Sequence, residues 1–413
     1  MMKLMKDLYW KKRDLVSDGF DESLDYISKI IPLKIHKFSS GTKCWTWKVP
    51  EKWIVNEAYI EDMQGNRILD MKDHPLHVVS YSLSVDKTIS KEELMKHLYT
   101  IPSRPNAIPY KFKFYDKNWG FCIQHSKLKD FKKDKYKVLI DSKHEKGTLK
   151  VGDFTIKGKT NKMIALVAHL DHPAMANDDL SGCAVLVDVA KELTKRDNNY
   201  TYKCLFLPET IGSIAYLSQY ESLISKFKYG IFLEMLGNKN TLALQLSRQG
   251  DTCLDRIARS VMKKKLKKFR EASFRRIVGN DELVFNGPGV NIPMISISRC
   301  PYPEYHTSDD NLKIISKEKL VESKNLILDI INIIDRDYVP KRTFKGPVFL
   351  SGFGLWTEWK INKERKEIVD QIMLNLEGDK SIFEISEELK IDFDEAYKYV
   401  NGLYEKGLVK IVK

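Results

Sequence analysis

The chain has 413 residues, 43% of them hydrophobic, with 18 Phe and 19 Tyr. That is long enough for two or three packed domains, and too apolar and aromatic for a disordered polymer. Its 69 Lys and Arg against 56 Asp and Glu give a formal charge of +13, yet no DNA- or RNA-binding signature accompanies that surplus.

Residues 1–31 read as two amphipathic helices, with Leu24, Ile27, Ile30 and Ile31 as the apolar face of the second. The opening MMKLMKDLYWKKRDLV has no uncharged run long enough for a signal peptide or a membrane helix. From about 45 to 130 the texture changes. Trp45, Trp47, Trp53, the turn signal Met63-Gln64-Gly65-Asn66 and the alternating HVVSYSLSV (77–85) predict short strands, with one helix over 91–99. Residues 46–129 are therefore read as a small β-rich domain inserted into a larger one formed by 1–45 and 130–340. In the larger domain, strands near 163–168, 203–208, 230–236, 241–247 and 292–298 alternate with helices near 180–195, 213–225, 251–268 and 317–335. That alternation is the signature of an α/β fold with a mixed, mostly parallel, doubly wound sheet.

The basic stretch KKKLKKFREASFRR (263–276) reads as a solvated helix face beside Val261, Met262, Leu266 and Phe269, with a phosphate-binding site as the alternative. Residues 341–360, rich in Gly and Pro, read as a connector. The segment 361–413 reads as three helices and a terminal strand and resembles a winged helix-turn-helix domain. It carries nine Lys and Arg against twelve Asp and Glu, whereas a DNA reader needs a basic recognition helix. A protein-contact role is expected for it, and DNA is not. Six cysteines without paired spacing point to a reducing cytoplasm.

Four apolar runs each lead to a metal-ligand residue type. MIALVA (163–168) runs into His169, KCLFLP (203–208) into Glu209, and GIFL (230–233) into Glu234. ISIS (295–298) is followed shortly by Tyr305-His306-Thr307. Between the first two lies the acidic loop Ala176-Asn177-Asp178-Asp179-Leu180-Ser181-Gly182. In a parallel sheet the carboxyl ends of the strands share one edge, where ligands bind. His, Asp, Glu and His gathered there are what zinc with an open coordination position uses, so the residues predict a metallohydrolase. The bland alternative is a set of core histidines and helix-capping acids.

These motifs resemble the di-zinc aminopeptidases, a group that includes bacterial leucyl aminopeptidases and is related in fold to glutaminyl cyclases. His169-Leu170-Asp171 matches the family's His-x-Asp, which implies His169 as a ligand and Asp171 as the group that orients it. Asn177-Asp178-Asp179-Leu180-Ser181-Gly182 matches the loop in which the first Asp, here Asp178, bridges two metals. Glu209-Thr210-Ile211-Gly212 matches Glu-Glu-x-Gly, which implies Glu209 as general base but sets Thr210 where the family has a ligand of the second zinc. Glu234-Met235-Leu236-Gly237 matches Asp-Met-x-Gly, and His306-Thr307 matches the closing His-Thr. The implied cofactor is one or two zinc ions, the second weakened by Thr210.

His172 has no counterpart in the common pattern and is a candidate replacement ligand or substrate contact. Asp281 and Glu282 are candidates to recognise a free amino terminus, or else a solvated turn, and Tyr305 is a candidate pocket wall. PETIGSIAYL, HPAMANDDLSG, GNDELVFNGPGVNIP and PEYHTSDDNL are similar to a narrower aminopeptidase-like family of unknown function. Its members carry the inserted domain and the winged helix, and are often labelled polysaccharide biosynthesis proteins. The substrate implied is a peptide or aminoacyl amide. The alternatives are an amidase or deacylase of surface polysaccharide metabolism, or a non-catalytic ligand-binding scaffold. Self-association is left open.

Overall fold

The computed structural model describes residues 1–355 and 363–412. The end of the 341–360 connector and the first two residues of the 361–413 module therefore lie outside the described residues, as does Lys413.

MIALVAH, apolar along its whole length, forms a strand buried at every position, as expected where helices cover both faces of a sheet. It is β3 (Met163–His169) of an eight-stranded sheet. The others are β1 (Lys34–Ser39), β2 (Thr148–Ile156), β4 (Thr201–Leu207), β5 (Phe227–Leu233), β6 (Leu242–Gln245), β7 (Arg270–Ala272) and β8 (Met294–Arg299). Their order across the sheet is β1-β2-β4-β3-β5-β8-β6-β7. The central strands β4, β3, β5 and β8 are mutually parallel. β1 and β2 join on one side by antiparallel pairing, and on the other side β6 runs antiparallel to β8. The sheet is thus the large mixed sheet expected of an α/β fold, and its parallel centre brings the ends of β3, β4, β5 and β8 to one edge.

Helix Gly182–Leu193 follows the acidic loop and buries nearly every residue. Gly182 is required there: a Cβ would lie 2.3 Å from the Leu233 carbonyl oxygen and 2.4 Å from the Asp179 carboxylate. The basic stretch departs from the reading of a single helix face. The helix Cys253–Lys265 stops at Lys265, and Arg270–Ala272 becomes β7.

A second, antiparallel sheet has the order Arg67–Asp70, Lys52–Asp62, Lys135–Glu145, Val85–Ser90. It reaches past the 46–129 range drawn from the sequence, because the alternating burial of Lys135–Glu145 suits it to a sheet with one covered face. From the same region residues 107–110 run beside residues 306–308. Tyr110 N–H donates to the His306 carbonyl at 2.8 Å, and Ser308 N–H to Ile108 at 2.9 Å.

A separate unit begins at Leu328. It contains helices Lys363–Leu374, Ile382–Glu388 and Phe393–Glu405, and a two-stranded ribbon pairing Pro340–Arg342 with Val409–Ile411. Ser381 and Glu384 form a reciprocal cap that starts the second helix. Phe393, Ala396, Val400 and Leu403 turn the third onto the core. Among the described residues no helix is long and apolar enough to cross a membrane.

Candidate metal centre

The sheet edge gathers the residues that the sequence scatters. His169 ends β3, Glu234 directly follows β5, and Glu209 lies two residues past β4. His169 Nε2 stands 3.1 Å from Asp178 Oδ1 and 3.5 Å from Glu234 Oε1. The other Asp178 oxygen, Oδ2, has His306 Nε2 at 3.2 Å and His172 Nε2 at 4.0 Å. His172 Nε2 is also 3.3 Å from Glu209 Oε2. Asp178 therefore presents one oxygen to His169 and Glu234, and one to the two remaining imidazoles.

Asp171 sits behind this cluster, 3.4 Å from His169 Nδ1 and 3.5 Å from His172 Nδ1. Its Oδ1 also accepts the Glu209 N–H at 2.8 Å, so one carboxylate lies beside two imidazoles and holds the turn that carries Glu209. Buried polar atoms ordinarily find hydrogen-bond partners. Here both ring nitrogens of His169 and His172, both Asp178 oxygens, Glu234 Oε2 and His306 Nε2 have none. Imidazole nitrogens and carboxylate oxygens converging without hydrogen bonds form a donor set fitted to a cation, and nitrogen with oxygen ligands suits zinc.

The electrostatics agree. Burial opposes charge on His169, but Asp171, Asp178 and Glu234 outweigh it and raise its pKa well above the usual value. Burial would raise the Glu209 pKa, yet His172 holds it at about 2. Burial likewise opposes ionisation of Asp178, and His172, His169 and His306 reverse that and hold its pKa well below the ordinary range. Of this cluster, Glu209 and His306 are the members open to solvent, with side chains 20% and 21% exposed.

Hydrogen bonds that the sequence did not reveal hold the constellation. Asp310 accepts the N–H groups of Asn177 and Asp178 at 2.7 and 2.9 Å. Asp179 accepts from Gly182 and Met235, and Asn177 from Gly237 and Asn238. The acidic loop is thereby locked to the loop after Glu234. Asn280 donates to Glu234 Oε1 at 2.6 Å. Asn177, Asp179 and Asp310 carried a signal, since they lie inside or beside the quoted motifs. Arg13 carried none. Fully buried, it donates to the carbonyls of Leu170, His172 and Met175 at 2.9, 2.6 and 3.1 Å from a helix-turn region more than 150 positions earlier. Tyr110 was also missed, and its ring lies 5.1 Å from that of His172 and 5.2 Å from that of His306.

Asp281 and Glu282 require a correction. Both are fully buried and neither lines the cleft beside Glu209. Asp281 accepts from Thr210 N–H and the Ser213 hydroxyl at 3.1 and 2.6 Å, and Glu282 accepts from Gln245 and the Asn280 N–H. They form neither a solvated turn nor a contact surface for an amino terminus, because helix Asp281–Phe285 turns them inward to brace the Glu209 turn and the Asn280 loop. Tyr305 does line the cleft, stacked on His306 with 3.9 Å between ring centroids. Six non-glycine residues around the site hold positive φ: His172, Ala174, Thr210, Met235, Arg275 and His306. Backbone strain of this kind clusters at functional sites.

A large mixed sheet of this kind is also the fold of zinc aminopeptidases. A zinc aminopeptidase from Bacillus subtilis superposes with a TM-score of 0.60 at 14% identity, over 81% of this chain and 93% of that one. An aminopeptidase from Aneurinibacillus does so with a TM-score of 0.54 at 16% identity, over 80% and 92%. Residues 2–337 match the family described as Domain of unknown function (DUF4910). A Clostridium acetobutylicum protein, assigned by name to polysaccharide biosynthesis with an aminopeptidase-like domain, is 34% identical over 99% of this chain and 95% of its own. A crystal structure from the same organism, provisionally named a peptidase, superposes with a TM-score of 0.91 at 33% identity, over 100% and 96%. The chain belongs to the DUF4910 family, the aminopeptidase-like group whose relative carries the polysaccharide-biosynthesis name.

Proposed function

We propose that the protein is a zinc-dependent, aminopeptidase-like hydrolase that cleaves an amide bond of a peptide or aminoacyl amide. The observation that carries this reading is the set of buried, unpartnered imidazole and carboxylate atoms converging around Asp178 beside a solvent-open Glu209. His169, Asp178 and Glu234 would hold one ion. His306, the second oxygen of Asp178 and His172 would hold another, His172 standing in for the family ligand that Thr210 replaces. The metal, when bound, supplies polarisation of the amide carbonyl and activation of water.

Glu209 takes the proton of the attacking water and returns it to the departing amine. Asp171 fixes the imidazoles of His169 and His172 and the Glu209 turn in one arrangement. Tyr305 and Tyr302 wall the cleft and keep the substrate next to Glu209. The inserted region around 46–129 supplies a wall through Tyr110, the module from 361 is a winged-helix protein-contact domain, and the setting is the cytoplasm. Retention of the ionisable Glu209 beside the cluster weighs against a non-catalytic scaffold. An N-acyl amino sugar is a second substrate reading, supported by the name of the Clostridium relative.

Metal analysis combined with hydrolysis of an aminoacyl-amide panel tests the proposal, comparing the natural protein with Glu209→Gln. One or two equivalents of zinc in both proteins, with turnover lowered by about 10²–10⁴-fold in the variant, are expected. Absence of bound metal would refute it.

A further inference from the structure

The cleft of about 500 Å³ beside the cluster is lined by Glu209 and Glu234 and also by Arg275 and Arg276. These two arginines end the basic stretch 263–276, and they are the part that leaves the helix and β7 behind. Their segment is built, not draped. The buried Gln245 side-chain oxygen accepts the N–H groups of Arg276, Ile277 and Val278 at 3.0, 2.7 and 3.0 Å. Gln245 is held in turn by Glu282 at 3.0 Å, and Arg275 sits at a φ of +63°.

Other arginines of the same unit are engaged: Arg259 with Glu271, Arg299 with Glu322, Arg104 with Asp309. Among the described residues neither the Arg275 nor the Arg276 guanidinium has a hydrogen-bond or ion-pair partner. A third arginine, Arg270, lies 3.6 Å from the sulfur of Cys300, which lines the same cleft. Planar guanidinium groups left unpaired on a fixed segment match a carboxylate in geometry and charge.

We infer that Arg275 and Arg276 form a subsite for a carboxylate, so that the cleft selects amides bearing an anionic group near the bond placed at Glu209. This rests on the hydrolase reading for the bond that is cut, but not for the charge that is recognised. The carboxylate has two candidate sources, an acidic amino-acid side chain or a carboxylate on a sugar ring. Two probe sets separate them: glutamyl against glutaminyl dipeptides, and N-acetylated amino sugars with and without a ring carboxylate.

Binding is titrated on zinc-loaded Glu209→Gln protein, which reads charge preference without turnover, and hydrolysis is read on the natural protein. The acidic member of at least one set is expected to bind about tenfold or more tighter than its neutral isostere. That ratio should shrink with added salt and fall towards one in Arg275→Ala/Arg276→Ala. Arg275→Lys/Arg276→Lys should restore part of it, and melting temperature and zinc content confirm that the variants fold. Equal or undetectable binding of acidic and neutral members in both sets overturns the subsite, as does a preference that survives removal of both arginines. Charge-selective binding without hydrolysis would leave the subsite standing and count against the hydrolase reading.

Discussion

Replacing Arg13 by Met keeps most of the aliphatic volume but removes a guanidinium that serves three carbonyls of the loop from His169 to Met175. Burial lowers the Arg13 pKa to about 10, so the side chain is charged at neutral pH and its hydrogen bonds are charge-assisted. Each buried carbonyl left without a donor costs about 1–3 kcal/mol. Relief from burying a cation offsets part of that sum, which leaves a net loss of about 3–5 kcal/mol, the range seen when one partner of a buried charged contact is removed. For the unit Met1–Ile327 that corresponds to a melting temperature lower by roughly 4–7 °C. The same loop carries His169, Asp171 and His172, so zinc affinity measured by chelator competition should weaken by about 10–100-fold. Arg13→Met with a melting temperature within about 1 °C of the natural protein and unchanged zinc affinity would refute the claim that Arg13 holds the ligand loop.

Asp310→Asn sets an amide where a carboxylate now accepts three backbone N–H groups of the acidic loop. A loss of about 1–3 kcal/mol is expected from thermal unfolding, and no loss would mean that the loop is held elsewhere. His172→Ala should lower zinc stoichiometry or affinity while Thr210→Ala leaves both unchanged, as read by metal analysis after dialysis. Equal effects would refute the assignment of His172 as the replacement ligand. Glu282 has its pKa raised to about 7 by burial and by Glu234. A carboxyl raised in the folded state contributes stability below its ordinary pKa and loses it as pH climbs through the folded value. Metal-stripped natural protein should therefore lose more stability than Glu282→Gln between about pH 4.5 and 7. Parallel melting curves against pH would contradict this.

What was legible in the sequence follows from the physics of each element. β3, β4, β5 and β8 announce themselves because a strand covered on both faces must be apolar throughout. Residues just past their ends were found because a parallel sheet aligns those ends on one edge. The basic stretch misled because Lys and Arg suit a solvated helix face as well as a loop, and composition does not show where Lys265 stops the helix. Asp281 and Glu282 misled for a related reason: acidic residues in a turn look solvated unless their acceptors are known, and Thr210, Ser213 and Gln245 come from three distant elements. Arg13 and Tyr110 were invisible because their importance lies in contacts across long sequence separations and not in any local pattern.

The hydrogen bond from Tyr110 to His306, with the Tyr110 ring set against two imidazoles, bears on how this architecture could be re-engineered. A minimal version carved from the eight-stranded sheet alone would keep the proposed metal-binding residues but lack one side of the chamber around them. Water would then reach His172 and His306 from a direction the intact chain seals. Swapping the region between Lys52 and Glu145 among relatives should accordingly retune the metal chamber from outside the ligand motifs, which makes that region a handle for altering reactivity without touching a single ligand.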